Sequence, residues 1–178
     1  MIIAPARPED GPAMLALLDG VCAASFQFPE AAMLAYRAMF SPEALAARLE
    51  QGRSVVLTAM QADQSCGLLP GMLIGLLLGL PPEGGVGTIM WLLVTPAAQG
   101  QGVGSALFHA ACARYRELGA HKIKLTAPTA PAVRFYERLG FHQEGFHPNH
   151  WWGQDFWALG LPLRAPDALP PHEQPKGA

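Results

Sequence analysis

The apolar positions along this chain follow a strand period in some segments and a helical period in others. Residues 25–40 give no single pattern, because aromatic and methionine side chains interrupt a helix-like spacing that begins after Pro29. The strand candidates are residues 2–6, 55–60, 73–80, 88–94, 122–126, 145–146 and 156–161. The helix candidates are a segment that Asp10 can cap, then residues 42–51, 105–118 and 132–139.

Local signals mark where several of these elements begin and end. Ser41-Pro42 combines a capping hydroxyl with a proline at the first helical position, and Gly52 is expected to end that helix. The run Pro81-Pro82-Glu83-Gly84-Gly85 predicts a turn between two strands. The strand at 88–94 is apolar on both faces, which is typical of a central position in a sheet.

Composition narrows the classes of protein to consider. The chain has 178 residues, of which 51% are hydrophobic and 15% charged, and its net charge is −2. A domain of this size can bury a core, and the charge balance argues against a nucleic-acid partner. Cys22, Cys66 and Cys112 form no disulfide or zinc pattern, so a reducing compartment is the simplest interpretation.

The ends and the most apolar stretch suggest one soluble domain. The N-terminus lacks a signal-peptide pattern, and the apolar stretch at 68–80 is shorter than the roughly 20 residues that a membrane span needs. We therefore expect a cytoplasmic domain over residues 1–164, with no membrane partner. Residues 165–178 are rich in proline and predict a flexible tail.

The most informative segment is a glycine-rich turn between the strand at 88–94 and the next helix. It contains Gly100, Gly102 and Gly104. Glycine permits positive φ and close approach of a ligand, and the free N–H groups of a helix start attract anions. No lysine follows, as a nucleotide P-loop requires, and Ser105 stands where a dinucleotide fingerprint has its last glycine. A tight turn without a ligand stays open as an alternative.

Two segments together resemble the GNAT superfamily of acyl-CoA-dependent N-acetyltransferases. The turn Gln99-Gly100-Gln101-Gly102-Val103-Gly104 resembles its pyrophosphate loop, in which Arg or Gln is followed by two residues, Gly, one residue, and Gly or Ala. Farther along the chain, Tyr136-Glu137-x-x-Gly140-Phe141 resembles its second signature. The resemblance implies a mixed, mostly antiparallel sheet of six to seven strands, splayed at strands four and five, with about four helices.

The resemblance also implies where acetyl-CoA lies. The pantetheine arm pairs with strand four, and the loop amides hold the pyrophosphate. Gln99 replaces the common arginine, and Thr129 stands where the superfamily often has asparagine. The implied cofactor-binding residues are Leu92, Leu93, Val94, Gln99, Gly100, Gln101, Gly102, Val103, Gly104, Ser105 and Thr129.

The implied reaction is direct attack of a primary amine on the thioester, with no covalent enzyme intermediate and no metal. A backbone N–H near Leu93 would stabilise the oxyanion, and Tyr136 would protonate the departing thiolate. Phe135, Leu139 and Phe141 are interpreted as core residues. No acid stands early in strand four, so the base is unassigned. The candidate bases are Glu83, Glu144, His142, His147 and a water chain to solvent.

The amine acceptor is a small molecule or a peptide, and six aromatic residues are candidates for its site. They are Phe26, Phe28, Tyr36, Trp91, Trp151 and Trp152. If they line a cleft, they favour an amine in apolar surroundings or a cation held against rings. A non-catalytic CoA sensor and a transferase for longer acyl groups remain alternatives. Oligomeric state is undetermined, with a homodimer as one alternative.

Overall fold

The computed structural model describes residues 1–26, 28–63 and 67–163. Within these residues the chain forms seven strands, five α-helices and three short 3-10 turns. The strands are β1 Ile2–Pro5, β2 Val55–Met60, β3 Leu73–Glu83, β4 Val86–Val94, β5 Lys122–Ala127, β6 His142–His147 and β7 Phe156–Pro162. The helices are α1 Gly11–Ser25, α2 Glu30–Met39, α3 Pro42–Gln51, α4 Val103–Glu117 and α5 Ala130–Arg138. The predicted tail and Cys66 lie outside the described residues.

The seven strands form one sheet in the order β1-β2-β3-β4-β5-β7-β6. The β4–β5 pair is parallel and the other neighbouring pairs are antiparallel. This agrees with the expected mixed, mostly antiparallel sheet. The helix beyond the expected four is α2, which starts directly after Pro29 in the segment whose pattern was ambiguous.

The sheet splits at its parallel pair. β4 and β5 are in register at three positions, from Val86 opposite Lys122 to Thr88 opposite Lys124. Both strands then continue without pairing to each other, so a gap opens between them. On the other side of β4, Leu78 of β3 pairs with Trp91 and Gly79 with Ile89, which makes Met90 a bulge residue. A bulge increases local twist and bends the strand, and here it coincides with the start of the gap.

Two apolar clusters cover the two faces of the sheet. One contains buried residues of α4 and α5, such as Leu107 and Val133. The other contains residues of α1 and α3, such as Leu18 and Leu45, with α2 packed at its margin. Side chains of a strand alternate between faces, so the first cluster receives Leu92 and Val94 and the second receives Leu93.

Tyr115 of α4 fixes the closed end of the gap. Its ring is fully buried, and its hydroxyl lies 3.1 Å from the Leu80 carbonyl and 2.9 Å from the Thr88 carbonyl. A Cβ on Gly79 or Gly87 would clash with this ring. The two glycines therefore make room for a side chain that links β3 and β4 to α4.

Two local predictions are wrong in detail. The turn after β3 is only Gly84-Gly85, with φ of 56° and 78°, and Pro81 and Pro82 belong to the strand. The β3–β4 register shifts between Leu80 and Glu83, so the prolines lie at an irregularity where no ladder N–H is needed. Asp10 precedes α1 but does not cap it, because its carboxylate accepts the Arg7 N–H at 2.8 Å.

The remaining boundaries match or differ by at most three residues, and one strand is longer than predicted. β6 covers six residues instead of two, since pairing with β7 extends a segment that lacks an apolar pattern. Ser41 caps α3 as expected, accepting the Ala44 N–H at 3.2 Å, and Gly52 ends the helix at φ 66°. In the part of the chain that the structure describes, no helix is long and apolar enough to cross a membrane.

Candidate active site

A cavity of about 600 Å³ lies beside the unpaired half of β4. It brings together four parts of the chain: the end of α1, the last residues of β4, the glycine-rich turn with the first turn of α4, and one face of α5. Its lining residues are Val21, Ser25, Phe26, Leu92, Leu93, Val94, Ala98, Gln99, Gly100, Gly102, Val103, Gly104, Ser105, Pro131, Ala132, Phe135, Tyr136, Arg138 and Leu139.

The glycine-rich turn presents a run of free amides to this cavity. Gly100 and Gly102 have φ of 76° and 81°, a region that favours glycine, and α4 begins at Val103. Within the described residues, the six N–H groups from Gly100 to Ser105 have no protein acceptor, and the first α4-capping bond is Ala106 N–H to Gly102 O. Six such donors at a helix start form a concave site for an anion.

Gln99 contributes differently from what the pattern predicts. Its backbone N–H is already used by the Pro96 carbonyl at 3.2 Å, so the free run starts one residue later. Its side-chain amide donates to the Val94 carbonyl at 3.2 Å and so joins the turn to the end of β4. Gln101 does not line the cavity, and its side chain donates to Ala97 O at 2.8 Å. Both glutamine side chains shape the turn.

The free edge of β4 offers backbone groups at Leu92 and Val94. Thr95 N–H donates to Ile74 O of β3, and N–H groups of a strand alternate between its two edges. The Leu93 N–H therefore points towards β3, with which Leu93 is paired through Leu76. The N–H groups of Leu92 and Val94 point into the gap. The oxyanion donor near Leu93 stays a prediction, and the N–H groups available in the gap are those of its two neighbours.

Tyr136 lies in the cavity wall with an unused hydroxyl. Its side chain is 9% exposed, and its ring packs edge-on against Phe135 and Phe141. No hydrogen bond from this hydroxyl is found among the described residues. Burial raises the pKa of Tyr136 well above its usual value, so the phenol keeps its proton at neutral pH. The site therefore contains a neutral O–H donor.

The rest of α5 is oriented by its capping residue. The Thr129 hydroxyl accepts the Ala132 N–H at 3.3 Å, and Thr129 does not line the cavity. The hydroxyl accepts this bond and keeps its own O–H, and the contact between Thr129 and the cofactor stays a prediction. Phe135 and Leu139, interpreted as core residues, pack on the core and also line the cavity.

None of the four side chains considered as bases lines the cavity. Glu144 forms a 2.6 Å ion pair with Lys122, and Glu83 lies at the far end of the β3–β4 hairpin, opposite Val86. His142 and His147 are exposed on the edge strand β6. The sequence could not exclude these four residues, because only the order of strands in the sheet shows that they lie away from the cavity.

Five of the six candidate aromatic residues form one cluster. Tyr36 and Trp91 have ring centroids 4.8 Å apart, and Phe28 lies 5.1 Å from Tyr36. Phe26 stacks on Phe28 at 5.1 Å, and Trp152 reaches Tyr36 at 6.3 Å. Trp151 is separate and contacts His150.

Several residues that line the cavity were not predicted from the sequence. Val21 and Ser25 lie on α1, which carries no motif, and the exposed Arg138 follows Tyr136 on α5. Arg138 adds a positive charge to the cavity rim, and only its position inside the second signature could have indicated it. Across the described ranges there is no group of three or more His, Cys, Asp or Glu side chains able to hold a metal ion.

Several solved structures with the same fold are acetyltransferases. The ribosomal-protein-S18-alanine N-acetyltransferase from Escherichia coli is 19% identical, with a TM-score of 0.69 over 94% of this chain and 97% of that one. The PaiA N-acetyltransferase from Thermoplasma acidophilum in complex with coenzyme A is 14% identical, with a TM-score of 0.70 over 90% and 98%. An aminoglycoside 6'-N-acetyltransferase complexed with coenzyme A is 15% identical, with a TM-score of 0.69 over 93% and 98%.

At the level of sequence, a comparison with curated proteins finds no match. The model of the Acetyltransferase (GNAT) family matches residues 25–141, which include the end of α1, the free edge of β4, the glycine-rich turn and the whole of α5. This chain therefore belongs to the GNAT family of acetyltransferases.

Proposed function

We propose that the protein transfers the acetyl group of acetyl-CoA to a primary amine by direct attack. The observation that carries this proposal is the run of six free amides at one end of a cavity whose wall contains the protonated Tyr136. Neither feature has a structural use within the described part of the protein. In acetyl-CoA the amides would correspond to the pyrophosphate and the Tyr136 hydroxyl to the thioester sulfur.

Cofactor binding uses the backbone in this proposal. The N–H groups from Gly100 to Ser105 bind the pyrophosphate, helped by the positive end of α4. Leu92 and Val94 pair with the amides of the pantetheine arm as an added strand would. Arg138 at the rim adds a charge near the phosphates. Side chains of Gln99 and Gln101 support the turn and leave its amides free.

The reaction at the thioester carbonyl carbon requires attack by the amine, stabilisation of the oxyanion and protonation of the departing thiolate. The amine nitrogen attacks the thioester carbonyl, and the oxyanion accepts a hydrogen bond from the Leu92 or Val94 N–H. The carbon–sulfur bond then breaks, and the Tyr136 hydroxyl gives its proton to the departing thiolate. The amine proton leaves to solvent, because no described carboxylate or histidine lines the cavity.

The test is release of free thiol from acetyl-CoA across a panel of amines, with binding of acetyl-CoA followed by calorimetry. We expect thiol release that requires an amine and yields a product heavier by one acetyl group in mass spectrometry. Folded protein that gives no heat with acetyl-CoA would rule out the binding site. Hydrolysis that proceeds equally without an amine would rule out the transfer reaction.

A non-catalytic acyl-CoA sensor is the second candidate. It is favoured by the absence of a carboxylate or histidine from the described cavity lining. The two functions differ in one measurement, because a sensor binds acetyl-CoA tightly and releases no thiol with any amine. The unused Tyr136 hydroxyl favours the enzyme.

A further inference from the structure

The five clustered rings form a partly exposed surface, which we call the aromatic platform: Phe26, Phe28, Tyr36, Trp91 and Trp152. They come from α1's end, the segment before α2, α2 itself, β4 and the β6–β7 connection. None of the five is fully buried, and Trp152 is 42% exposed. Five aromatic residues from separate segments that meet at the surface are typical of a binding site.

The platform adjoins the acyl end of the cavity. Phe26 lines the cavity directly, and Trp91 precedes Leu92 on β4. The glycine-rich turn follows Val94, so it lies at the opposite end of this part of the strand. A cofactor bound as proposed would extend from the turn along β4 towards the platform. An amine that attacks the thioester would then rest against these rings.

Two features of the platform are unexplained by packing alone. The Trp91 Nε1 atom is buried and has no hydrogen-bond partner among the described residues. Trp152 has a φ of 57°, which is strained for a non-glycine residue, and its ring packs edge-on against Tyr36 with centroids 6.3 Å apart. Trp152 thus completes the platform, and the buried Trp91 N–H lacks the acceptor that an atom of a bound ligand would supply.

The charges around the platform restrict which amine fits. Asp19 and Arg37 neutralise each other at 2.8 Å, Cys22 beside Tyr36 is buried, and the described cavity lining contains no carboxylate or histidine. The cavity lining therefore offers no carboxylate to pair with a lysine-like ammonium and no side chain to take its proton. An amine next to a carbonyl is a weaker base, with a pKa near 8 against about 10.4 for lysine. At neutral pH its reactive neutral form is therefore far more abundant.

We propose that the preferred acceptor is an α-amine adjacent to a carbonyl and carrying an aromatic side chain, as in an aromatic amino acid amide or a peptide that begins with such a residue. The ring packs on the platform, and the Trp91 N–H donates to the carbonyl oxygen. This inference rests on the proposed acetyl transfer and specifies its substrate class.

Four probes separate these contributions in thiol release with the full chain at pH 7.5. Phenylalanine amide has every feature, alanine amide lacks the ring, phenethylamine lacks the carbonyl, and Nα-acetyl-lysine amide offers only a basic amine. We expect kcat/KM for phenylalanine amide to exceed each of the other three by at least tenfold. A Phe-Ala-Ala amide tripeptide shows whether the source is a peptide, and a higher kcat/KM than that of phenylalanine amide would support one.

Trp91→Phe keeps a ring and removes the N–H. We expect it to lower kcat/KM for phenylalanine amide at least fivefold more than for phenethylamine, with an unchanged Kd for acetyl-CoA as evidence of correct folding. Trp152→Leu, at an exposed position, should lower kcat/KM for both aromatic amines at least fivefold and that for alanine amide less than twofold.

The outcomes distinguish the two levels of the proposal. Acetylation with alanine amide or Nα-acetyl-lysine amide as the best substrate overturns the substrate class and leaves acetyl transfer standing. An equal loss for both aromatic amines in Trp91→Phe overturns the role of its N–H. Acetyl-CoA binding without thiol release from any probe overturns the proposed function itself.

Discussion

At the scale of single residues, Tyr136 combines burial with a hydroxyl that has no described partner. Its ring is held by Phe135 and Phe141, so the position of the oxygen does not depend on a hydrogen bond. Removing the oxygen therefore deletes one functional group and leaves the packing unchanged.

We predict that Tyr136→Phe lowers kcat about 100-fold or more, the usual range for loss of a general acid, and leaves the Kd for acetyl-CoA within about twofold. Thiol release and calorimetry measure the two quantities. Thermal unfolding serves as the control, and we expect no decrease in Tm, because the hydroxyl makes no described contact. An unchanged kcat would refute the proposed role of the phenol.

Buried tyrosines and cysteines predict loss of stability in alkali. Burial raises the pKa of Tyr115 and Tyr136, and it raises the pKa of Cys22 and Cys112 to about 11. In the unfolded chain these groups ionise from about pH 8.5 for cysteine and about pH 10 for tyrosine. Below these pH values the groups make their full contribution to the free energy of unfolding. The contribution falls as pH rises through them, because the unfolded chain loses protons that the folded state keeps.

The expected decrease is up to about 1.4 kcal/mol per pH unit for each group within its interval. Urea unfolding at pH 8 and pH 10.5 measures it. Tyr136→Phe should make the decrease smaller, since one of the contributing groups is gone. Equal slopes for the wild type and this variant would contradict the assignment to Tyr136.

At the scale of elements, the glycine-rich turn and α4 act as one unit. Gly102 precedes the helix with a φ of 81°, and Gly119 follows it with a φ of 80°. A Cβ at either position meets no atom within 4 Å, so backbone strain is the expected cost of both substitutions. The two glycines form a matched pair, one at the cavity and one at the other end of the same helix.

We predict that Gly102→Ala raises the Kd for acetyl-CoA about tenfold, because it displaces the amides that follow it. Gly119→Ala should lower the free energy of unfolding by about 1–2 kcal/mol, the cost of backbone strain expected at both glycines. It should leave the Kd for acetyl-CoA unchanged. Calorimetry and urea unfolding on both variants give the comparison. If both variants bound acetyl-CoA like the wild type, the turn would not be the anion site.

The alternation of strand β4 predicts a pattern in amide exchange. The N–H groups of Leu92 and Val94 point into the gap, whereas that of Leu93 faces β3. In the protein alone, Leu92 and Val94 should exchange at least tenfold faster than Leu93. Saturating acetyl-CoA should slow Leu92 and Val94 and leave Leu93 nearly unchanged, as measured by NMR. Uniform protection before and after addition would contradict the pairing proposed for the pantetheine arm.

Sequence predicted most elements because their signals are local. The β2 bounds match residues 55–60, and Ser41 and Gly52 delimit α3 as expected, since cap chemistry acts within one turn. The extent of β6 was missed because its pairing with β7 is nonlocal. The same holds for the site: two motifs indicated the turn and Tyr136, but Val21, Ser25 and Arg138 join it only through the fold.

At the scale of the whole molecule, the sheet consists of two parts joined at β4 and β5. Strands β1–β4 contact α4, with α1 also on β3 and β4, and strands β5 and β7 contact α5. Three residue pairs connect the two parts within the sheet. At the closed end of the gap between β4 and β5, the Tyr115 hydroxyl donates to the Thr88 carbonyl. Across the core, Phe108 of α4 contacts Phe141 at 5.4 Å.

The narrow junction between β4 and β5 has a consequence for how substrate range can change. Behind the cleft, the two parts of the molecule are joined by buried contacts such as that between Phe108 and Phe141. Core substitutions there would tilt one half of the sheet against the other and admit a bulkier acyl group or acceptor. Because Phe141 also packs against the Tyr136 ring, volume changes at this interior contact would alter selectivity and the position of the phenol together.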